Sequence, residues 1–147
     1  IYDNEIKNQL KKWKELGYFD SLPKGNEIPR IERWDDKSAD INKRARAWLD
    51  INCAHCHNIN GPANNTGLFL DYYEQDKKAL GIYKIPVAAG RGSGNRKYDI
   101  VPGSPSESIM VYRFQSTNPG NMMPELGRTM VHKEGLDLIK EWILNLN

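Results

Sequence analysis

One pentapeptide, Cys53-Ala54-His55-Cys56-His57, constrains this chain more than any other stretch. It has the form C-x-x-C-H, which is the attachment signature of a c-type haem. Two thiols three residues apart on a helical turn face the same way, so both can bond to the vinyl groups on one porphyrin edge. His57 then lies where its imidazole can serve as the proximal iron ligand. The motif therefore predicts one haem c, attached through Cys53 and Cys56.

Two other interpretations of the motif have less support. A thioredoxin-like redox pair would be expected within a βαβ unit, and the pattern around the motif is not of that kind. A structural zinc site needs four ligands, and outside the motif the sequence offers only His132, with no second cysteine pair. We therefore favour haem attachment over zinc binding and over dithiol chemistry.

Length and charge agree with a small haem domain. A chain of 147 residues is expected to form one core, with an appended arm. Its 21 basic and 19 acidic residues give a net charge of +2, which is too small to indicate nucleic-acid binding. No apolar run approaches the roughly 18 residues of a membrane span. Because covalent haem attachment normally takes place outside the cytoplasm, we expect a processed or excised chain with a periplasmic or other extracytoplasmic location.

The apolar pattern predicts five helices and two domains. The helices are expected over Asp3 to Leu16, Ser38 to the haem motif, Asp71 to Ala79, Ser106 to Phe114, and His132 to Leu146. Asp3 and Ser38 are the candidate N-caps of the first two. The domains would be an N-terminal helix with an irregular strap, residues 1–37, and a haem domain, residues 38–147. We expect the helices that start at Ser38 and His132 to pack on each other, with Trp48 or Trp142 at the contact.

The run Gly90-Arg91-Gly92-Ser93-Gly94 looks like a phosphate loop only at first sight. It lacks the Gly-Lys-Ser/Thr ending of a Walker A motif and a surrounding βαβ unit. A flexible loop is the simpler interpretation. The alternative is that Arg91 or Arg96 pairs with a haem propionate, and we take Arg91 as the candidate cofactor-binding residue.

A second ligand is predicted in Met122-Met123-Pro124. A thioether is a soft axial ligand that favours ferrous iron and raises the reduction potential. Neighbouring residues of an extended loop point in opposite directions, so only one methionine can reach the iron. Pro124 restricts Met123 to an extended backbone and stiffens the loop, which would help to hold a weak thioether bond. His132 is the next candidate.

Taken together, these residues resemble a known family. The order C-x-x-C-H, Met-Pro and closing helix is similar to that of class I, mono-haem cytochromes c, from about Ser38 to Asn147. Four segments look more closely like a bacterial subfamily: residues 50–57, 89–94, 100–108 and 122–128. Domains of that subfamily are often fused to, or encoded with, larger secreted proteins, including oxidoreductases.

The resemblance implies a fold and a function. The fold would be all-α, the class I cytochrome c fold, in which N- and C-terminal helices cross around a covalently bound haem, with long loops and here an extra N-terminal helical arm. Such proteins commonly ligate iron through a Met directly followed by Pro, so the resemblance selects Met123 over Met122 as the ligand, together with His57. We expect one-electron transfer between a dehydrogenase-like redox partner and a respiratory acceptor, and no enzymatic activity. The alternative is a haem-based gas sensor or peroxidase-like enzyme with an open or labile sixth site.

Overall fold

The computed structural model describes residues 8–25 and 27–147 and divides the chain into two compact units. The division falls between Arg30 and Ile31. The domains predicted from the sequence, residues 1–37 and 38–147, are not tested by this division and stay a prediction. The α-helices of the described chain are α1 (Gln9–Glu15), α2 (Ile41–Leu49), α3 (Ile109–Gln115) and α4 (Lys133–Leu144). A π-helical turn, Asp50–Ala54, continues α2 without a break.

The first unit contains α1. Asn8 caps the helix, since its side-chain oxygen accepts a hydrogen bond from the Lys11 amide at 3.2 Å. The predicted N-cap, Asp3, lies outside the described residues. The helix ends before Gly17, which adopts a φ of +80° that few other residues tolerate.

The predicted all-α class I cytochrome c fold is wrong. Helical residues make up only 36% of the described chain, and α1 and α3 have seven residues each. The rest of the described chain is turn and loop, with two isolated β-bridges, Ile82 with Ile100 and Tyr98 with Ser108, and no β-strand. Between the π-helical turn and α3 the longest helical segment is a 3₁₀ turn of four residues, Gly90–Ser93. The polar groups of that backbone are therefore satisfied by turns and side chains, not by long helices.

One arginine explains why the helix predicted over residues 71–79 is wrong. The Arg46 Nη2 atom donates hydrogen bonds to the carbonyl oxygens of Asp71, Tyr72 and Glu74 at 3.0, 2.9 and 2.6 Å. In a helix these oxygens would accept from amides one turn further on. Because Arg46 takes them, the segment folds as a series of turns around a buried guanidinium.

The packing of α2 on α4 is confirmed. The Trp48 indole Nε1 donates to His132 Nδ1 at 3.1 Å, and the Trp142 Nε1 donates to Asn42 Oδ1 on α2 at 2.9 Å. Both tryptophans are buried. A Cβ atom at residue 135 would collide with the Trp48 ring, so Gly135 is what allows the two helices this close an approach.

The ends of the helices differ from the predicted ends by a few residues. α2 is capped by Asp40, whose carboxylate accepts from the Lys43 amide at 3.1 Å. Ser38, the predicted cap, instead donates its hydroxyl to Asp36 at 2.7 Å. His132 does occupy the N-cap position of α4, although its side chain makes no capping bond.

The core of the second unit joins α2, α3 and α4. Its largest fully buried apolar side chains are Leu49, Leu70, Ile100, Ile109, Ile139, Trp142 and Ile143. Among the described residues no helix has the length and apolar character needed to cross a membrane.

Trp142→Ala is expected to reduce the free energy of unfolding by about 3–5 kcal/mol, because it removes a buried indole and its bond to Asn42. Chemical denaturation of the variant measures the loss. The control is Trp13→Ala on α1, where the ring is only partly buried and a smaller loss is expected. Equal losses in the two variants would contradict the packing described for α4.

Candidate functional site

The cysteine motif begins at the end of the π-helical turn that extends α2, with Cys53 on that turn and Cys56 and His57 just after it. The Cys53 carbonyl accepts hydrogen bonds from the amides of Cys56 at 3.0 Å and of His57 at 2.9 Å. The turn therefore winds tightly through the motif and keeps its three side chains close together. Cys53 is buried, Cys56 is half-buried, and both are free thiols with no disulfide. Single π-helical turns are frequent at functional sites.

A glycine allows the chain to fold back behind the motif. The Cys56 carbonyl accepts from the Ala63 amide at 3.1 Å, which closes the turn that follows. A Cβ atom on Gly61 would overlap that same carbonyl group. Only glycine fits this close approach of two backbones.

Four of the five predicted site residues line one cavity. Cys53, Cys56, His57 and Met123 surround a space of about 510 Å³. This volume lies in the range of roughly 300–1,000 Å³ that is usual for small-molecule sites. The apolar part of the wall consists of Pro62, Ala63, Leu68, Leu70, Ile109, Met110, Phe114, Pro124 and Leu126. The cavity is thus mainly apolar, with sulfur and nitrogen donors in its wall.

His57 is placed as a neutral imidazole. Burial lowers the pKa of His57, with the Leu68 backbone acting in the opposite direction. Its Nδ1 atom is buried and has no hydrogen-bond partner of acceptable geometry among the described residues. Because neutral imidazole is the form that binds metals, this environment suits a ligand.

The two methionines differ in position. Met123 lines the cavity, whereas Met122 is buried elsewhere and does not. The backbone separates them: the Met122 amide donates to the Asn118 carbonyl at 2.8 Å, and the Met123 amide donates to the Arg113 carbonyl at 3.2 Å. The Met123–Pro124 peptide bond is cis.

Arg91, the fifth predicted residue, is exposed and does not line the cavity. The arginine in the cavity wall is Arg113 on α3, which the sequence analysis missed. A signal for it was present: Arg113 lies three and four residues after Met110 and Ile109, on the apolar face of the helix. A Cβ at Gly92 would meet the Arg113 guanidinium at 3.1 Å, so the glycine-rich segment packs against this arginine.

Arg113 belongs to a small group of buried charges. Burial lowers the pKa of Arg113, and burial also raises the pKa of the Asp99 carboxyl, which lines the cavity as well. Lys84 Nζ lies 3.7 Å from an Asp99 carboxylate oxygen, and both side chains are only 10% exposed. Glu125 also lines the cavity and acts on Arg113, so two cations, Lys84 and Arg113, stand against two acidic groups, Asp99 and Glu125.

The environment of Cys53 is unlike that of a reactive thiolate. Burial, and then the neighbouring Cys56, raise the pKa of Cys53 to about 12. A reactive thiolate needs a lowered pKa. Within the described residues, no group of three or more His, Cys, Asp and Glu side chains is placed to hold a metal ion.

A second cavity, of about 780 Å³, adjoins the first and shares Asn52, Phe114, Pro124 and Leu126 with it. His132 lines this second cavity and not the first. Its Nδ1 atom already accepts the Trp48 hydrogen bond. His132 is therefore not among the donors of the first cavity.

Comparison with protein-family models, with curated proteins and with solved structures gives no match.

Gly61→Ala is expected to lower the free energy of unfolding by about 1–3 kcal/mol, because the added Cβ forces the turn away from the Cys56 carbonyl. Urea denaturation measures this change. Gly25→Ala is the matched control, since a Cβ there meets no atom within 4 Å. If Gly61→Ala is as stable as the control, the close approach behind the motif does not exist in solution.

Proposed function

We propose that this protein is a one-electron carrier that holds a single, covalently attached haem c. The observation that carries the proposal is the cavity that joins Cys53, Cys56, His57 and Met123. Residues from two distant parts of the sequence supply two thiols, an imidazole and a thioether to one apolar space. This donor set suits the group that the C-x-x-C-H motif indicates.

The thiols would hold the porphyrin by thioether bonds. Cys53 and Cys56 lie on one tight turn and share a wall of the cavity. Their lack of a disulfide leaves both sulfurs available. The raised pKa of Cys53 argues against the competing role as a redox thiolate.

His57 and Met123 would bind the iron of the haem. Since His57 Nδ1 is buried in the protein, Nε2 is the nitrogen left for iron. A buried Nδ1–H commonly donates to a carbonyl oxygen in metal-ligating histidines, and the Leu68 backbone is the nearby candidate. Histidine with a thioether favours ferrous iron and raises the reduction potential.

The cavity wall would adjust the charge around the cofactor. A bound haem supplies the reversible one-electron couple. The apolar side chains exclude water, so that few dipoles must reorient when the charge of the site changes. We propose Arg113, in place of Arg91, as the partner of a haem propionate, since guanidinium pairs well with carboxylate and Arg113 lines the cavity.

The biological setting follows from the same proposal. Covalent haem attachment supports an extracytoplasmic, periplasmic location. The resemblance of residues 50–57, 89–94, 100–108 and 122–128 to a bacterial cytochrome c subfamily supports redox proteins as partners: a dehydrogenase-like donor, fused or separately encoded, and a respiratory acceptor.

The first test concerns attachment. Haem is expected to stay with the polypeptide through acid–acetone extraction and denaturing electrophoresis, because thioether bonds survive both. Cys53→Ala combined with Cys56→Ala should abolish stable attachment, whereas His55→Ala, an exposed change inside the motif, should not. A polypeptide mass equal to that of the bare chain, or freely extracted haem, would show the proposal to be wrong.

The second test separates the methionines. Met123→Ala is expected to remove the sulfur-to-ferric-iron charge-transfer band, lower the reduction potential and let carbon monoxide bind ferrous iron. Met122→Ala should do none of these, because Met122 does not line the cavity. Absorption spectra and redox titration give the answer. Exchanged phenotypes would identify Met122 as the ligand, and iron that is five-coordinate in the unaltered protein would favour a sensor or peroxidase-like enzyme.

A further inference from the structure

The loop that carries Met123 is anchored on the last turn of α3. The Met123 amide donates to the Arg113 carbonyl at 3.2 Å. The Arg113 side chain, through Nε, donates to the Asn121 carbonyl at 3.1 Å. The backbone on both sides of Met122 is therefore tied to a single helical residue.

Arg128 lies five residues after Met123, and its side chain binds the same C-terminal end of α3. Its Nη1 atom donates to the Phe114 carbonyl at 2.9 Å, and its Nη2 atom donates to the carbonyls of Arg113, at 3.3 Å, and of Ser116. Carbonyls in the last turn of a helix have no partner within the helix. A cation there also interacts favourably with the helix dipole. Arg128 thus binds the end of α3 at three acceptors.

The two sets of bonds meet at one atom. The Arg113 carbonyl oxygen accepts from both the Met123 amide and the Arg128 guanidinium. Residues 123–128 consequently form a loop that is closed at both ends on one carbonyl. A neutral thioether is a weak ligand, so its bond to a metal depends on how firmly the surrounding structure holds it in place.

The surroundings of Arg128 are unfavourable for a charged side chain with no role beyond the surface, because they remove part of the guanidinium from water. Its Nε atom is buried and lacks a hydrogen-bond partner among the described residues. Burial lowers the pKa of Arg128, with no acidic side chain acting against it. The planar guanidinium can reach several carbonyls in a fixed geometry, which the single ammonium of lysine cannot.

We propose that Arg128 is a positioning residue that keeps the Met123 thioether where it would bind the haem iron. The inference rests on the proposed function, because it requires Met123 to be an iron ligand. Arg128 does not itself line the cavity that holds the donors. It acts through the closed loop of residues 123–128, by fixing the end of that loop on α3.

The test compares Arg128→Gln and Arg128→Lys with Arg96→Gln in the haem-loaded protein. Arg96, which the sequence offered as a propionate partner, does not line the cavity of the donors. It is a matched control, since its guanidinium also donates to backbone carbonyls, those of Ser106 at 2.5 Å and Gly94 at 2.9 Å, but away from the Met123 loop. The measurements are covalent haem content, the charge-transfer band of the ferric protein, the reduction potential, and the apparent affinity of ferric iron for added imidazole.

Both Arg128 variants should keep the haem attached and show a weaker charge-transfer band, a lower potential and about tenfold tighter imidazole binding. A tenfold change corresponds to about 1.4 kcal/mol of weaker Met123 ligation, because imidazole competes with the thioether. Arg96→Gln should match the unaltered protein. Lysine keeps the charge without the planar fork, so it should not restore the band.

Several results would overturn the proposal. They are an unchanged band and imidazole affinity in Arg128→Gln, full rescue by lysine, equal changes in Arg96→Gln, or failure of both Arg128 variants to accumulate as folded protein with linked haem. Failure of the proposed function gives a different pattern: an unaltered protein without linked haem, or one whose spectrum matches that of Met123→Ala.

Discussion

The close contact of Trp48 with Gly135 is the constraint on which the rest of the second unit, Ile31–Asn147, depends. The indole occupies the space that a side chain at residue 135 would need, and its Nε1 bonds to His132 at the start of α4. α2 continues directly into the π-helical turn, Asp50–Ala54, that carries Cys53. The packing of α2 on α4 therefore also fixes the position of the cysteine motif in the cavity wall.

Around this helix pair, arginine side chains donate hydrogen bonds to backbone carbonyls that regular secondary structure would satisfy in other domains. Arg46 binds the carbonyls of the segment after residue 70, Arg44 donates to the Trp34 carbonyl at 3.0 Å, and Arg113 and Arg128 hold the loop around Met123. Buried carbonyl groups need donors, and a chain with long loops has few amides in position to supply them. A guanidinium supplies several donors from one side chain. This explains how so little helix can still support a defined cavity.

The outcome for individual elements shows what local sequence could predict. The apolar faces of α2 and α4 follow the helical period, and their packing on each other was correctly expected from Trp48 and Trp142. The segment over residues 71–79 has a helical pattern too, but Arg46 competes for its carbonyls. The all-α cytochrome fold failed for the same general reason, because turns held by side chains replace helices over much of the described chain.

The sequence by itself determined the candidate donors. Spacing within C-x-x-C-H is set by the covalent chain, and alternation of neighbouring side chains means that only one of Met122 and Met123 can point to a given site. The choice of Met123 came from the resemblance to class I cytochromes c, in which the ligand Met precedes a Pro. Only the tertiary structure decided that the four donors share one cavity and that Arg113, not Arg91, reaches it. Such contacts join residues far apart in the chain, so they depend on the paths of loops and on buried partners such as Gly92. Short-range patterns in a sequence do not indicate the paths of those loops.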